Sequence, residues 1–346
     1  MVLAEFYKTA QRILKDVVHL KPEEELVVAY DSRTPHEIMD VFRQVGIAMG
    51  SPTTSVTFPK PPLTGKGAWP RATLPRATLE ALRSADAIVG AGVTYAEGVG
   101  DVIAAGHRMI SPGMGPQMDE ILVRTVGEPD IFKLRDEANR IAELWTDAKE
   151  VKITSKEGTN VTIDKSGYPA FPVNGFLDEG ELWDTLPPAQ PGTQDYIQLS
   201  GTFVFDGFVA FQSPEVGWQV PNQPIVVNVE EGEVTDISGD KVLVPLLKTH
   251  LNGFRDPSVF RGPVHINLGT NSNARLSKHQ EMERVRGIID CGWADNSVLS
   301  KFMGKHTKSR VNTAPTHWDM LMLRPSVFLD SKQLVKDGEI LTDALK

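Results

Sequence analysis

The stretch Glu25-Leu26-Val27-Val28-Ala29-Tyr30-Asp31-Ser32-Arg33-Thr34-Pro35 decides how the first half of the chain is read. An uninterrupted apolar run is the pattern of a strand buried on both faces, and the polar residues and proline after it end the strand and start a helix. The spacing predicts Thr34 as the cap and Pro35 as the first residue of a helix that runs to about Met49. Upstream, Phe6, Ala10, Ile13, Leu14 and Val17 recur at helical spacing, which predicts an amphipathic helix over residues 4 to 18. Downstream come a strand over residues 53 to 58, a helix from Leu79 to Ala85, a strand within Asp86 to Gly92, and a helix from about Ile131 to Thr146. Strands alternating with helices in this way indicate a Rossmann-like parallel α/β layer, assigned to residues 1–148.

The period then changes from helical to alternating. Val151, Ile153, Val161 and Ile163 flank Lys156-Glu157-Gly158 as in a hairpin, and alternation returns at Thr202 to Phe211, Ile225 to Val229, and Val234 to Ile237 after a Glu231-Gly232 turn. Residues 149–346 are therefore read as an α+β, strand-rich domain. Neither glycine cluster of the first half supports nucleotide binding. Gly90-Ala91-Gly92-Val93-Thr94-Tyr95 lacks the third glycine of the dinucleotide fingerprint, and Thr64-Gly65-Lys66-Gly67 lacks the first glycine of a phosphate loop. The proline-rich segment from Pro59 to Pro75 reads as a long surface loop, of the kind that lines sites or oligomer contacts.

At 346 residues the chain exceeds one typical core, in keeping with two domains. A formal net charge of −9 argues against nucleic acid or an anionic membrane surface as a partner. The single cysteine, Cys291, cannot build a disulfide framework or a thiolate-rich metal site, so any metal must be held by histidines and carboxylates. No apolar run reaches the roughly 18 residues of a membrane span, and the N-terminal residues do not resemble a secretion signal. These features lead to the expectation of a soluble, cytoplasmic protein.

The chemistry is concentrated near the C-terminus, in Thr316-His317-Trp318-Asp319-Met320-Leu321-Met322-Leu323. On a strand, His317 and Asp319 share one face. Burying both in an apolar run costs several kcal/mol unless they are paired or coordinated. Such a pair, joined by one distant histidine, supplies the facial triad of non-heme Fe(II) sites; it also suits a buried histidine bonded to its neighbouring carboxylate. His265, in Gly262-Pro263-Val264-His265-Ile266-Asn267-Leu268-Gly269-Thr270-Asn271, occupies an alternating position as either a ligand or a core histidine. Glu181 lies in an acidic, glycine-containing loop, and His107 precedes a strand of the first domain. Each reads as an acid/base group or as an ordinary loop residue. His279 and His306 lie in polar surroundings and read as surface residues.

The motifs at His265 to Asn271, Gly287-Ile288-Ile289-Asp290-Cys291-Gly292-Trp293-Ala294-Asp295-Asn296 and His317-Trp318-Asp319 resemble the thermophilic leucyl aminopeptidase superfamily. Within it, the chain looks most like the 2,5-dihydroxypyridine 5,6-dioxygenases, and the likeness reaches faintly into the first domain and the Gly180-Glu181 loop. Where the aminopeptidases keep a carboxylate ligand this chain has His265, and where their histidine stands it has Asp290 and Ala294. The two-metal peptidase set is thereby dismantled. The resemblance implies an Fe(II) extradiol-type dioxygenase with His265, His317 and Asp319 as ligands. It further implies O2 and a hydroxylated pyridine as substrates, N-formylmaleamic acid as product, a place in nicotinate degradation, and self-association. His107 or Glu181 would move protons, and Phe176, Trp183, Trp293 and Trp318 offer aromatic surface for a flat ring. A metallo-aminopeptidase and a catalytically silent binding protein of the same superfamily are the alternative readings.

Overall fold

The computed structural model describes residues 2–60, 73–94, 96–113, 117–165, 168–211, 217–277, 279–297 and 310–345. Most of the Pro59 to Pro75 segment, including Thr64-Gly65-Lys66-Gly67, lies outside the described residues, as do Tyr95 and His306.

The apolar strand Leu26–Asp31 runs inside a five-stranded parallel sheet, between Thr53–Phe58 and Ala87–Ala91, with Arg108–Ser111 and Trp183–Thr185 continuing the order beyond Ala87–Ala91. Helices cover both faces, which is why all six residues of Leu26–Asp31 are buried. Leu26, Val28 and Tyr30 pack with Phe6, Leu14, Met39 and Phe42 of the helices on one side. Val27 and Ala29, on the other side, pack with Leu82, Val102 and Ile103. The first helix, Val2–Arg12, continues through a wider π-type turn over Ile13–Val17 and so fills the range expected of it.

Two local expectations are corrected. The second helix begins at His36, after Pro35, and has no side-chain cap from Thr34. The turn before it is closed from Asp31 instead, whose side chain accepts from the Arg33 amide at 2.8 Å and whose carbonyl accepts from the Thr34 amide at 3.0 Å. The alternating run from Thr202 to Phe211 is two strands in two different sheets, Gly201–Phe205 and Val209–Phe211. The chain changes sheets at Asp206-Gly207, where a Cβ on Gly207 would lie only 2.6 Å from that of Leu321.

After helix Ile131–Asp147 the chain builds antiparallel strands, as its changed period requires, although it returns once to the parallel sheet to supply Trp183–Thr185. The hairpin of Glu150–Thr154 and Asn160–Asp164 forms as expected, in an eight-stranded sheet. A second sheet of six strands follows the order Trp218–Gln219, Val209–Phe211, His317–Met322, Ile289–Ala294, His265–Leu268, Gly192–Thr193. The two sheets share one core, in which Ile153, Val161, Phe203 and Phe205 of the larger meet Ile266, Cys291, Trp293, Trp318 and Met320 of the smaller. By the two-residue period of strands, the alternate residues of the smaller sheet face away from this core. Those residues include His265, Asn267, Asp290, Gly292, His317 and Asp319. Among the described residues, no helix is long and apolar enough to cross a membrane.

Candidate metal centre

Strand register assembles the site. His265 is opposite Gly292, and Gly292 is opposite Asp319, so the three form a row across neighbouring strands. The middle position has to be glycine. A Cβ on Gly292 would stand 2.7 Å from Nε2 of His265 and closer still to its Nδ1 and Cε1, because the imidazole lies directly over that backbone. His317 joins the row from the same strand as Asp319, two residues earlier and therefore on the same face.

One ligand atom from each of His265, His317 and Asp319 lies within 4.8 Å of the others. Nε2 of His317 is 2.9 Å from Oδ1 of Asp319, and Nε2 of His265 is 3.4 Å from the same oxygen, with ring centroids 5.2 Å apart. Nδ1–H of His317 donates to the Asp295 carbonyl at 2.7 Å, which fixes the ring and leaves Nε2 as the inward atom. His265 has a carboxylate on its other flank. Its Nε2 is 3.2 Å from Oδ2 of Asp290, and that oxygen accepts from Nε2 of Gln190 at 2.7 Å. Nδ1 of His265 and Oδ1 of Asp290 have no hydrogen-bond partner among the described residues.

The two imidazoles share one carboxylate, and their protonation diverges. Burial acts to lower the affinity of His317 for a proton, but the charge and hydrogen bond of Asp319 and the Asp295 carbonyl outweigh it and raise the pKa to about 9. His265 is lowered to about 4, by burial first and then by the neighbouring His317 charge, against the pull of Asp319. Asp290 is pushed well above the usual carboxylate range by burial and by Asp319. Glu283, buried beside Arg284 and paired with it, is pushed up to about 8, again chiefly by burial. Two imidazoles, a buried carboxylate and an unpartnered ring nitrogen fit a divalent cation, which would supply the positive charge these acids lack. Among the described residues they form a single group of this kind.

The other candidates make local contacts of their own. Nδ1 of His107 donates to the Ala85 carbonyl at 2.7 Å, at the start of strand Arg108–Ser111. Glu181 lies in the turn leading into Trp183–Thr185, its amide bonded to the Asp178 carbonyl. The chain leaving the far end of that strand is the part that approaches the triad, through Gln190. His279 is half-buried rather than fully exposed, with Nε2 3.1 Å from Oε1 of Gln117. The aromatic residues do not line the triad. Trp293 and Trp318 stack on each other at 5.1 Å on the core face, since they alternate with the site residues along their strands. Phe176 packs against Phe132, and Trp183 packs with the helix layer.

Sequence reasoning passed over Gly292, Asp290 and Gln190 as working parts. A glycine inside a strand pattern signals close approach of another group, and Gly292 carried that signal. Gln190 carried none, because its contact with Asp290 spans 100 residues of chain.

Residues 6–342 match the family model described as 2,5-dihydroxypyridine 5,6-dioxygenase. A relative of that name from Pseudomonas putida KT2440 is 25% identical over 202 residues, a match spanning 57% of this chain and 56% of the relative's length. The structure of 2,5-dihydroxypyridine dioxygenase from the same organism superposes with a TM-score of 0.78 at 18% identity, covering 99% of each chain. AmpT from Thermus thermophilus superposes at 0.60 with 11% identity, covering 98% of this chain and 99% of its own. These two superpositions bear out the two-part fold of a parallel α/β layer joined to antiparallel sheets. With nearly its whole length matched, the chain belongs to the 2,5-dihydroxypyridine 5,6-dioxygenase family.

Proposed function

We propose that this protein is an Fe(II)-dependent extradiol-type dioxygenase that opens the ring of 2,5-dihydroxypyridine, adding both atoms of O2 to give N-formylmaleamic acid. The observation that carries this reading is the convergence of His265, seated over Gly292, with His317 and Asp319 on a buried sheet face. Those three residues would hold the metal. Bound there, Fe(II) supplies a path for electrons from the electron-rich ring to dioxygen. With the proton held on His317 displaced on metal binding, two neutral imidazoles and one carboxylate would leave net positive charge at the site, which favours an aryl-oxide anion.

The chain's own residues do the rest. The Asp295 carbonyl holds the His317 ring by its Nδ1–H, and Gln190 holds Asp290 against His265. Asp290, with Oδ2 3.2 Å from Nε2 of His265, is a group outside the triad able to take or return a proton, and its burial favours the protonated form. His107 and Glu181 keep in this proposal the acid/base role expected of them. The reading also assigns the protein to the cytoplasm, to nicotinate degradation and to a self-associated form, with neither nucleic acid nor membrane as partner.

The test is oxygen uptake by anaerobically purified, Fe(II)-reconstituted protein on adding 2,5-dihydroxypyridine, with His317→Ala as control. Uptake of one O2 per ring, with loss of the ring's ultraviolet band and silence in the variant, is expected. No uptake, together with two tightly bound divalent ions per chain, would overturn the proposal in favour of a hydrolase.

A further inference from the structure

The strand at the edge of the six-stranded sheet, Gly192–Thr193, pairs with the His265 strand so that Thr193 is opposite Ile266 and Gly192 opposite Asn267. Thr193 turns to the core side, where its Oγ1 accepts from Nε1 of Trp145 at 3.1 Å. The next residue, Gln194, turns to the opposite side, which is the face of His265. There its Nε2 donates to Oδ1 of Asn267 at 3.1 Å. A Cβ on Gly192 would stand 2.6 Å from Oδ1 of Asn267, so the glycine is what lets the amide sit against the edge strand. Gln194 is 8% exposed, and its Oε1 has no hydrogen-bond partner among the described residues. An amide buried on the sheet face that carries the candidate metal ligands, held through its nitrogen with its oxygen left over, is an acceptor suited to a donor that arrives with a ligand.

We propose that Oε1 of Gln194 accepts the ring N–H of the substrate and so selects a nitrogen heterocycle over a carbocycle; this rests on the hydroxypyridine reading above. In its lactam form a 2-hydroxypyridine carries N–H beside the ring carbon at which cleavage occurs. A dihydroxybenzene of the same shape presents C–H at that position and would leave the amide oxygen buried and unpaired. Leaving a buried acceptor unpaired corresponds to about 10- to 100-fold in affinity.

The experiment measures dissociation constants by anaerobic titration calorimetry of the Fe(II)-loaded protein with 2,5-dihydroxypyridine and with 1,4-dihydroxybenzene. The wild-type protein is expected to prefer the pyridine by about 10-fold or more. In Gln194→Leu the preference should fall to within about threefold, and in Gln194→Glu, which keeps an acceptor oxygen in place while Asn267 turns its amide to donate, most of it should remain. A wild-type preference below about threefold, or an unchanged preference in Gln194→Leu, overturns the inference, and the first of these needs no variant to fold. If the wild-type protein turns over 2,5-dihydroxypyridine in either of those cases, the functional reading stands and only the role of Gln194 is lost. If it neither binds nor turns over that ring, the functional reading fails and the inference falls with it.

Discussion

On the face of the six-stranded sheet turned toward the eight-stranded one, Trp293 and Trp318 stack among Cys291, Met320 and Ile266. On the other face of the same strands, Gly292 makes room for His265, and Asp319 lies between two imidazoles. The contrast teaches how one backbone serves two purposes. Alternate residues face opposite ways, so a one-residue slip of register would exchange the core for the site, and the stacked tryptophans hold the ligands in line. The core face stabilises the fold by removing apolar area from water, whereas the site face spends stability to keep acids and imidazoles out of water.

The sharpest way to break this comparison is to remove a ligand. Asp319→Ala is expected to abolish Fe(II)-dependent oxygen uptake and to lower the melting temperature of the metal-free protein, because it leaves buried His317 without the carboxylate that pairs with it. An unchanged melting temperature would show that the pairing on the site face carries no stability of its own. The converse change is Trp318→Ala, which removes the stacked ring and its Nε1–H bond to the Val259 carbonyl. It should cost about 3–5 kcal/mol in denaturant unfolding, with unaltered metal stoichiometry in the protein that remains folded.

Asp184 sharpens the comparison from outside the site. It is a buried acid held by the backbone amides of Gly175 and Thr185, with no imidazole beside it in its hydrogen bonds, and burial raises its pKa to about 7. The native state therefore keeps a proton that the unfolded chain has released above roughly pH 4. Its contribution is present in full below that value and is lost as the pH rises through about 7, a change of up to about 4 kcal/mol. Unfolding curves between pH 4 and pH 8 should show this slope in the wild-type protein and a weaker slope in Asp184→Asn. A smaller effect is expected from Gly292→Ala. The added methyl must push the His265 ring aside, and a loss of about 10- to 100-fold in metal affinity, measured by competition with a chelator, is the expected outcome. Unchanged affinity would mean that the row across Gly292 does not hold the metal.

The sequence by itself determined the parallel layer, because Leu26 to Tyr30 is a short apolar run ended by turn residues and repeated in alternation with helical segments, as strands covered on both faces are. It also determined that His317 and Asp319 share a face, since a strand has a period of two. Both are local properties of a few consecutive residues, and so is the signal in Gly292, which went unused. Only the tertiary structure decided that His265 lies over Gly292, that Gln190 reaches Asp290 across 100 residues, and that Trp293 and Trp318 stack in the core rather than beside the metal ligands. The same holds for Thr202 to Phe211, whose even alternation conceals a change of sheet at Gly207. The physical reason is that periodicity states which way a side chain points relative to its own strand. What it meets there depends on register and sheet order, which are set by pairings between segments far apart in the chain.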